Sequence, residues 1–227
     1  MNLKKIIIAL DSDNFNDTLS IVKNLKNDAF AFKIGYEFFL NFGLTGYKAI
    51  KEENANIFLD LKLHDIPNTV ANGIKAIAKL NPYFTTIHLS GGDEMQKISS
   101  KFKINTKILG VSILTSLDSK QTKKYYNNNV EKIVSNFAKN ALVNKLDGIV
   151  CSPQEISIVK KITQNKVIIV TPGIRPVNYN DSKDDQKRVM SPKEAINAGA
   201  NYLVMGRPIT KSTNPLKSLQ SINSSLE

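Results

Sequence analysis

Phe58-Leu59-Asp60-Leu61-Lys62-Leu63-His64-Asp65-Ile66-Pro67-Asn68-Thr69 is the stretch on which the fold turns. It reads as a strand, Asn56–Leu61, that runs into a helix. Pro67 suits a first helical turn, where no backbone N–H is needed. Val70, Ile74 and Ile77 then recur at the spacing of a single helical face. An apolar strand followed by an amphipathic helix is one βα unit, and repeated units of this kind build a parallel sheet.

Outward from this stretch the same form recurs. Short β-branched runs fall at Lys5–Leu10, Ala31–Ile34, Tyr83–His88, Lys107–Ser112, Gly148–Cys151, Lys166–Thr171 and Tyr202–Met205, making eight strands with the first. Between the first two, Phe15, Leu19 and Val22 form the buried stripe of a helix. No Pro/Gly/Ser-rich linker interrupts the period. The expectation is therefore a single-domain (β/α)8 TIM barrel, compact at 227 residues against about 250 for the architecture. A doubly wound open sheet is the competing arrangement. It usually carries a glycine-rich phosphate loop after its first strand, where this chain has Asp11-Ser12-Asp13-Asn14.

Composition narrows the class. With 41% hydrophobic and 22% charged residues the chain is neither fibrous nor disordered. The apolar run Ile6–Leu10 ends at Asp11, too short for a secretory signal, and no stretch of about 18 apolar residues spans a bilayer. One cysteine, Cys151, and two histidines leave no internal disulfide and too few soft ligands for structural zinc, which fits a reducing, cytoplasmic setting. The net charge of +11 could serve nucleic acid or phosphorylated small molecules. The lysines are scattered among many asparagines, so neither nucleic acid nor membrane is an expected partner.

Charge converges at the strand ends. Positions i and i+2 of a strand share a face, so Asp60 and Lys62 point together into the mouth of a barrel. Asp11 ends the first strand and Lys33 the second. Taken singly, Asp11 reads equally as a helix cap and Lys33 as a surface lysine, while Asp60 with Lys62, at the carboxyl end of a central and otherwise apolar strand, is poorly placed for a surface ion pair. Taken together at the carboxyl ends of strands one to three, they form a site. On the far side, Tyr202–Met205 runs into Gly206-Arg207, and Arg175 follows the seventh strand. Loops after strands seven and eight commonly bind phosphate, and a guanidinium binds it bidentately, though two surface arginines would read the same way. The polar stretch at about residues 173–192 is long for such a compact chain and reads as a lid. His88, closing the fourth strand, reads as structural as readily as catalytic. Cys151 reads as inert packing, with no basic neighbour to activate it.

Asp60-x-Lys62-x-x-Asp65-Ile66-Pro67-Asn68-Thr69 resembles the signature of the orotidine 5′-phosphate decarboxylase family. The likeness continues in order through Ala9-Leu10-Asp11, Lys33-Ile34-Gly35, His88 with Gly91-Gly92, Leu114-Thr115-Ser116, Thr171-Pro172-Gly173-Ile174-Arg175-Pro176, Asp185-Gln186-x-Arg188 and Gly206-Arg207-Pro208-Ile209-Thr210. It implies decarboxylation of orotidine 5′-phosphate to UMP and CO2, the last step of de novo pyrimidine synthesis, with neither metal nor cofactor. By resemblance Lys62 protonates a vinyl-type carbanion at C6 and Asp60 lies beside the substrate carboxylate. Lys33 and Asp11 meet the ribose, Thr115 the pyrimidine, and Arg175, Gln186, Gly206 and Arg207 the phosphate. Asp65 and Thr69 reach the neighbouring subunit's site across a homodimer. Asp-x-Lys-x-x-Asp alone is shared with magnesium-dependent sugar-phosphate decarboxylases and aldolases, which form the competing enzyme class.

Overall fold

The computed structural model describes residues 4–176 and 190–226. The strands are β1 (Ile6–Ala9), β2 (Ala31–Ile34), β3 (Ile57–Leu63), β4 (Phe84–His88), β5 (Lys107–Val111), β6 (Gly148–Val150), β7 (Ile168–Thr171) and β8 (Tyr202–Met205). Every neighbouring pair is parallel, and β8 closes back on β1. All eight expected strands are present. Tyr83, Ser112 and Cys151 fall just outside their strands, Lys166–Val167 precede β7, and β3 runs two residues further than expected, to Leu63.

Helices fill the connections: α1 (Phe15–Leu25), α2 (Tyr36–Glu52), α3 (Pro67–Leu80), α4 (Gly92–Lys101), α5 (Ser119–Tyr126), α6 (Val130–Val143), α7 (Ile156–Thr163), α8 (Pro192–Ala198), α9 (Arg207–Thr210) and α10 (Pro215–Ser225). Their starts follow local chemistry. Asn14 accepts the Asp17 N–H to cap α1, Asp118 and Gln121 form a capping box on α5, and Pro67 occupies the first turn of α3 as expected. Val70, Ile74 and Ile77 bury the inner face of α3, while Thr18, Val22 and Leu25 are buried on α1. The second helix breaks at Gly43, whose φ of 53° lies in the left-handed region that glycine enters without steric cost.

Strand alternation divides the core into two shells. Ile6, Ile8, Phe32, Ile34, Ile57 and Leu59 pack outward against the helices. Ile7, Ala9, Ala31, Phe58, Phe84, Leu109, Val170 and Val204 fill the barrel interior. At the amino-terminal end an aromatic plug closes the bottom: Phe30 stacks on Tyr202 with centroids 4.0 Å apart, and Tyr83 and Phe84 meet these rings edge-on. Two residues beyond Ala31 and Phe58 the same interior positions carry Lys33 and Asp60, so the apolar filling gives way to charge toward the carboxyl ends.

No helix among the described residues is long and apolar enough to cross a membrane. Cys151 is buried, and burial together with the nearby Glu155 carboxylate pushes its thiol well up, consistent with inert packing.

Candidate active site

Four charged side chains meet at the mouth of the barrel in one chain of contacts. Lys33 Nζ lies 3.1 Å from Asp11 Oδ1 and 3.8 Å from Asp60 Oδ2, and Lys62 Nζ donates to that same Asp60 oxygen at 2.7 Å. The array is graded in exposure. The Asp11 side chain is 54% exposed and the Asp60 side chain 9%. Burial by itself would raise the Asp60 carboxyl. The Lys33 and Lys62 ammonium groups, with hydrogen bonds from Lys62 and Thr86, outweigh that and hold it below the usual carboxylate range. Asp60 is therefore a buried, ionised carboxylate whose stability depends on two cations.

Asp60 and Lys62 come together, but not through regular alternation. From Leu59 to Leu63 is four steps on β3, against two from Thr85 to Ile87 on β4, so β3 bulges between these pairs. Lys62 sits in the bulge at φ 44°, a left-handed backbone that non-glycine residues rarely adopt. Its side chain turns back to Asp60, and its backbone N–H, taken out of the ladder, donates to the Thr86 hydroxyl at 2.9 Å. Thr86 in turn donates to Asp60 Oδ1 at 2.9 Å. The two Asp60 oxygens are thus both engaged by protein donors.

Gly35 makes room for the array. A Cβ built there would stand 2.9 Å from Lys33 Nζ and 3.2 Å from Asp11 Oδ1. The backbone of Gly35, φ −99° and ψ −166°, suits any residue, so the space rather than the conformation calls for glycine.

Among the described residues, two of the openings beside the charges bear on the site. One cleft of about 420 Å³ is lined by Asp11, Lys33, Gly173, Arg175, Gly206 and Arg207 together with Glu37, Thr210 and Lys211. Arg207 and Arg175 thus share a wall system with the two ribose-side candidates, as the sequence led one to expect. Glu37 and Lys211 were not anticipated, since neither lies in a motif. Arg175 donates through its backbone to Met190 and through Nη1 to Ile174, and the Ile174–Met190 bridge ties the ends of the expected lid together. Gln186 lies outside the described residues, as do Asp185 and Arg188. The second opening, about 540 Å³, is lined by Tyr36, Lys62, His64, Asp65, Thr69 and His88 among others. Asp65 and Thr69 are exposed there, and Asp65 accepts the Ile66 N–H at 2.6 Å. The Tyr36 hydroxyl donates to the Leu61 carbonyl, and its ring lies 5.9 Å from Lys62 Nζ. Thr115 occupies the turn between β5 and α5 and is half-buried.

His88 ends β4 with its ring 5.2 Å from that of His64. Burial, then the neighbouring His64 and Lys62, lower its basicity against a smaller opposing effect of Asp60, so it stands as a neutral imidazole near pH 7. Among the described residues no three His, Cys, Asp or Glu side chains converge as a metal-holding cluster.

A parallel barrel with a cation–carboxylate–cation array at its carboxyl face, beside an arginine-walled cleft, has the form of a barrel enzyme with its candidate active site at that face. Residues 4–222 match the orotidine 5′-phosphate decarboxylase / HUMPS family, and the chain belongs to it. The orotidine 5′-phosphate decarboxylase of Pseudoalteromonas translucida is 42% identical over 99% of this chain and 97% of its own, and that of Ehrlichia chaffeensis 44% identical over 96% and 94%. The crystal structure of the Lactobacillus acidophilus orotidine 5′-phosphate decarboxylase, 34% identical, superposes with a TM-score of 0.85 over 99% of this chain and all of that one. The chain is accordingly a carboxy-lyase of the (β/α)8 class.

Proposed function

We propose that this protein decarboxylates orotidine 5′-phosphate to UMP and CO2, the closing step of de novo pyrimidine synthesis, in the cytoplasm and without metal or cofactor. The observation that carries the reading is the Asp11–Lys33–Asp60–Lys62 chain of contacts beside the arginine-walled cleft.

In the proposed reaction the bond from C6 to the carboxylate breaks, CO2 departs, and the electron pair stays on C6 in an orbital that the ring does not delocalise. The Lys62 ammonium gives its proton to C6, producing UMP, and recovers a proton from water. Lys62 interacts more favourably as charge gathers on C6, and this difference between ground and transition state is what lowers the barrier. Asp60, held ionised by its cations, stands against the substrate carboxylate. At about 4 Å and an effective dielectric near 20, two such charges repel by roughly 4 kcal/mol. If that repulsion vanished with CO2 it would supply about three powers of ten in rate, so the larger share falls to Lys62 and to phosphate binding.

Lys33 and Asp11 are assigned to the ribose hydroxyls and Thr115 to the pyrimidine edge. Arg175, Gln186, Gly206 and Arg207 are assigned to the phosphate, with the segment at about residues 173–192 closing over it. Asp65 and Thr69 are assigned to the partner site in a homodimer. Their exposure beside Lys62 supports this, as does the apolar surface around them: Ile66 is 67% exposed, Tyr36 53% and Leu40, one turn further along α2, 81%.

The test is turnover of orotidine 5′-phosphate, followed by loss of orotate absorbance in buffer containing EDTA. The expected outcome is full activity with chelator and a loss of at least about 10³-fold in kcat for Lys62→Ala. No turnover of orotidine 5′-phosphate in either buffer, together with turnover of a ketohexose phosphate that EDTA abolishes and magnesium restores, would instead assign the chain to the sugar-phosphate branch of the superfamily.

A further inference from the structure

Thr86 sits inside the barrel, two residues beyond Phe84 in the alternation of β4, and is fully buried. A hydroxyl has one proton and two acceptor positions. Here the proton goes to Asp60 Oδ1 at 2.9 Å, and one acceptor position takes the Lys62 backbone N–H, also at 2.9 Å. The Lys62 side chain closes the ring by donating to the other Asp60 oxygen at 2.7 Å. One side chain therefore fixes the carboxylate of Asp60 and the bulged backbone from which Lys62 extends.

We infer that Thr86 is a positioning residue for the decarboxylation, a small hydroxyl that couples the bulge of β3 to the orientation of the Asp60 carboxylate and the Lys62 ammonium. The inference rests on the proposed roles of those two residues. Without the hydroxyl, the Lys62 N–H has lost its ladder partner and gains no other, and Asp60 keeps only its cation contacts. Lys62 at φ 44° then has less to hold it in a left-handed backbone, and the reacting groups lose a geometry that must be kept to a fraction of an ångström. The neighbouring threonine offers an internal comparison. Thr85 is equally buried and donates to the Leu59 carbonyl at 2.9 Å, a bond of the same kind on the opposite face of β4, away from the charges.

The experiment compares Thr86→Val, Thr86→Ser and Thr85→Val in kcat, KM, affinity for UMP and thermal midpoint. UMP lacks the carboxylate that Asp60 faces, so its binding reports on the pocket apart from the chemistry. For Thr86→Val the expected result is a fall of about 30-fold or more in kcat, with KM and UMP affinity within about threefold of the parent. Thr86→Ser, which keeps the hydroxyl, should retain kcat within about threefold. Thr85→Val should lower the thermal midpoint with kcat within about twofold. Should Thr86→Val not fold, Thr86→Ala carries the same expectation. Parent-like kcat in the variant without the hydroxyl, equal losses in the Ser and Val variants, or an equal loss in Thr85→Val would overturn the inference. If the parent does not turn over orotidine 5′-phosphate, the proposed function fails; if it does but Asp60→Asn and Lys62→Ala are both as fast, the roles of those two residues fail; if those two are slow and Thr86→Val is not, only the role of Thr86 fails.

Discussion

Replacing Asp60 by Asn removes the carboxylate that both ammonium groups share, with consequences for stability as well as rate. Lys62 Nζ and Lys33 Nζ stand 2.7 and 3.8 Å from the same Asp60 oxygen, so they are at most 6.5 Å apart. At an effective dielectric near 20 two unit charges at that distance repel by about 2.5 kcal/mol. Losing the attraction costs more still, offset by no longer having to desolvate a buried carboxylate, and the net cost of breaking a buried charge network is about 3–5 kcal/mol. Partial exposure of the Lys62 end moves the expectation to about 2–4 kcal/mol, which a domain with a stability of about 5–15 kcal/mol survives. In urea, with a slope of about 2 kcal/mol per molar, the midpoint falls by about 1–2 M. The pH dependence has a definite sign. The Asp60 carboxyl is lowered in the folded state, so its contribution is complete above the unfolded value near 3.9 and disappears as pH falls through the lower folded one. The gap between parent and variant is therefore constant from about pH 5 to 8 and closes below about pH 4. Turnover should fall about 10³-fold. A variant with an unchanged urea midpoint, or a gap that widens in acid, would refute the account of Asp60 as a carboxylate held ionised by two lysines.

Gly35→Ala should leave the thermal midpoint nearly unchanged, because the backbone accepts a side chain, yet lower kcat/KM by about tenfold as the new methyl displaces the Lys33 ammonium; parent-like kinetics would mean that the Asp11–Lys33 contact is dispensable. Asp65→Asn and Lys62→Ala chains, each nearly inactive alone, should recover about a quarter of parental activity when refolded together, since half of the dimers are mixed and each mixed dimer holds one intact site. No recovery on mixing would place Asp65 in its own subunit's chemistry or outside the chemistry altogether.

The barrel was legible because short β-branched runs alternate with amphipathic helical stretches from end to end; in the folded chain the two-residue period of the strands puts Lys33 two residues after Ala31 and Asp60 two after Phe58. Thr86 obeys that rule from Phe84 just as well. Threonine is an ordinary strand former, however, and nothing in the string distinguishes a hydroxyl that binds a carboxylate from one that, like Thr85, binds a carbonyl. Lys62 joined Asp60 as expected but by another route, because a bulge depends on how two strands register, which one strand's sequence does not state. Glu37 and Lys211 reach the cleft from helix starts and ends whose placement is set by packing, and Gly35 owes its identity to side chains 2 and 24 positions away.

The aromatic plug at the amino-terminal end has a consequence for traffic. Among the described residues, Phe30, Tyr83, Phe84 and Tyr202 fill the floor, with the buried side chains of the interior shell above them. In the proposed reaction, gas set free at the rim then leaves by the doorway through which the nucleotide arrives, so departure of the small product and loosening of the large one share a single threshold.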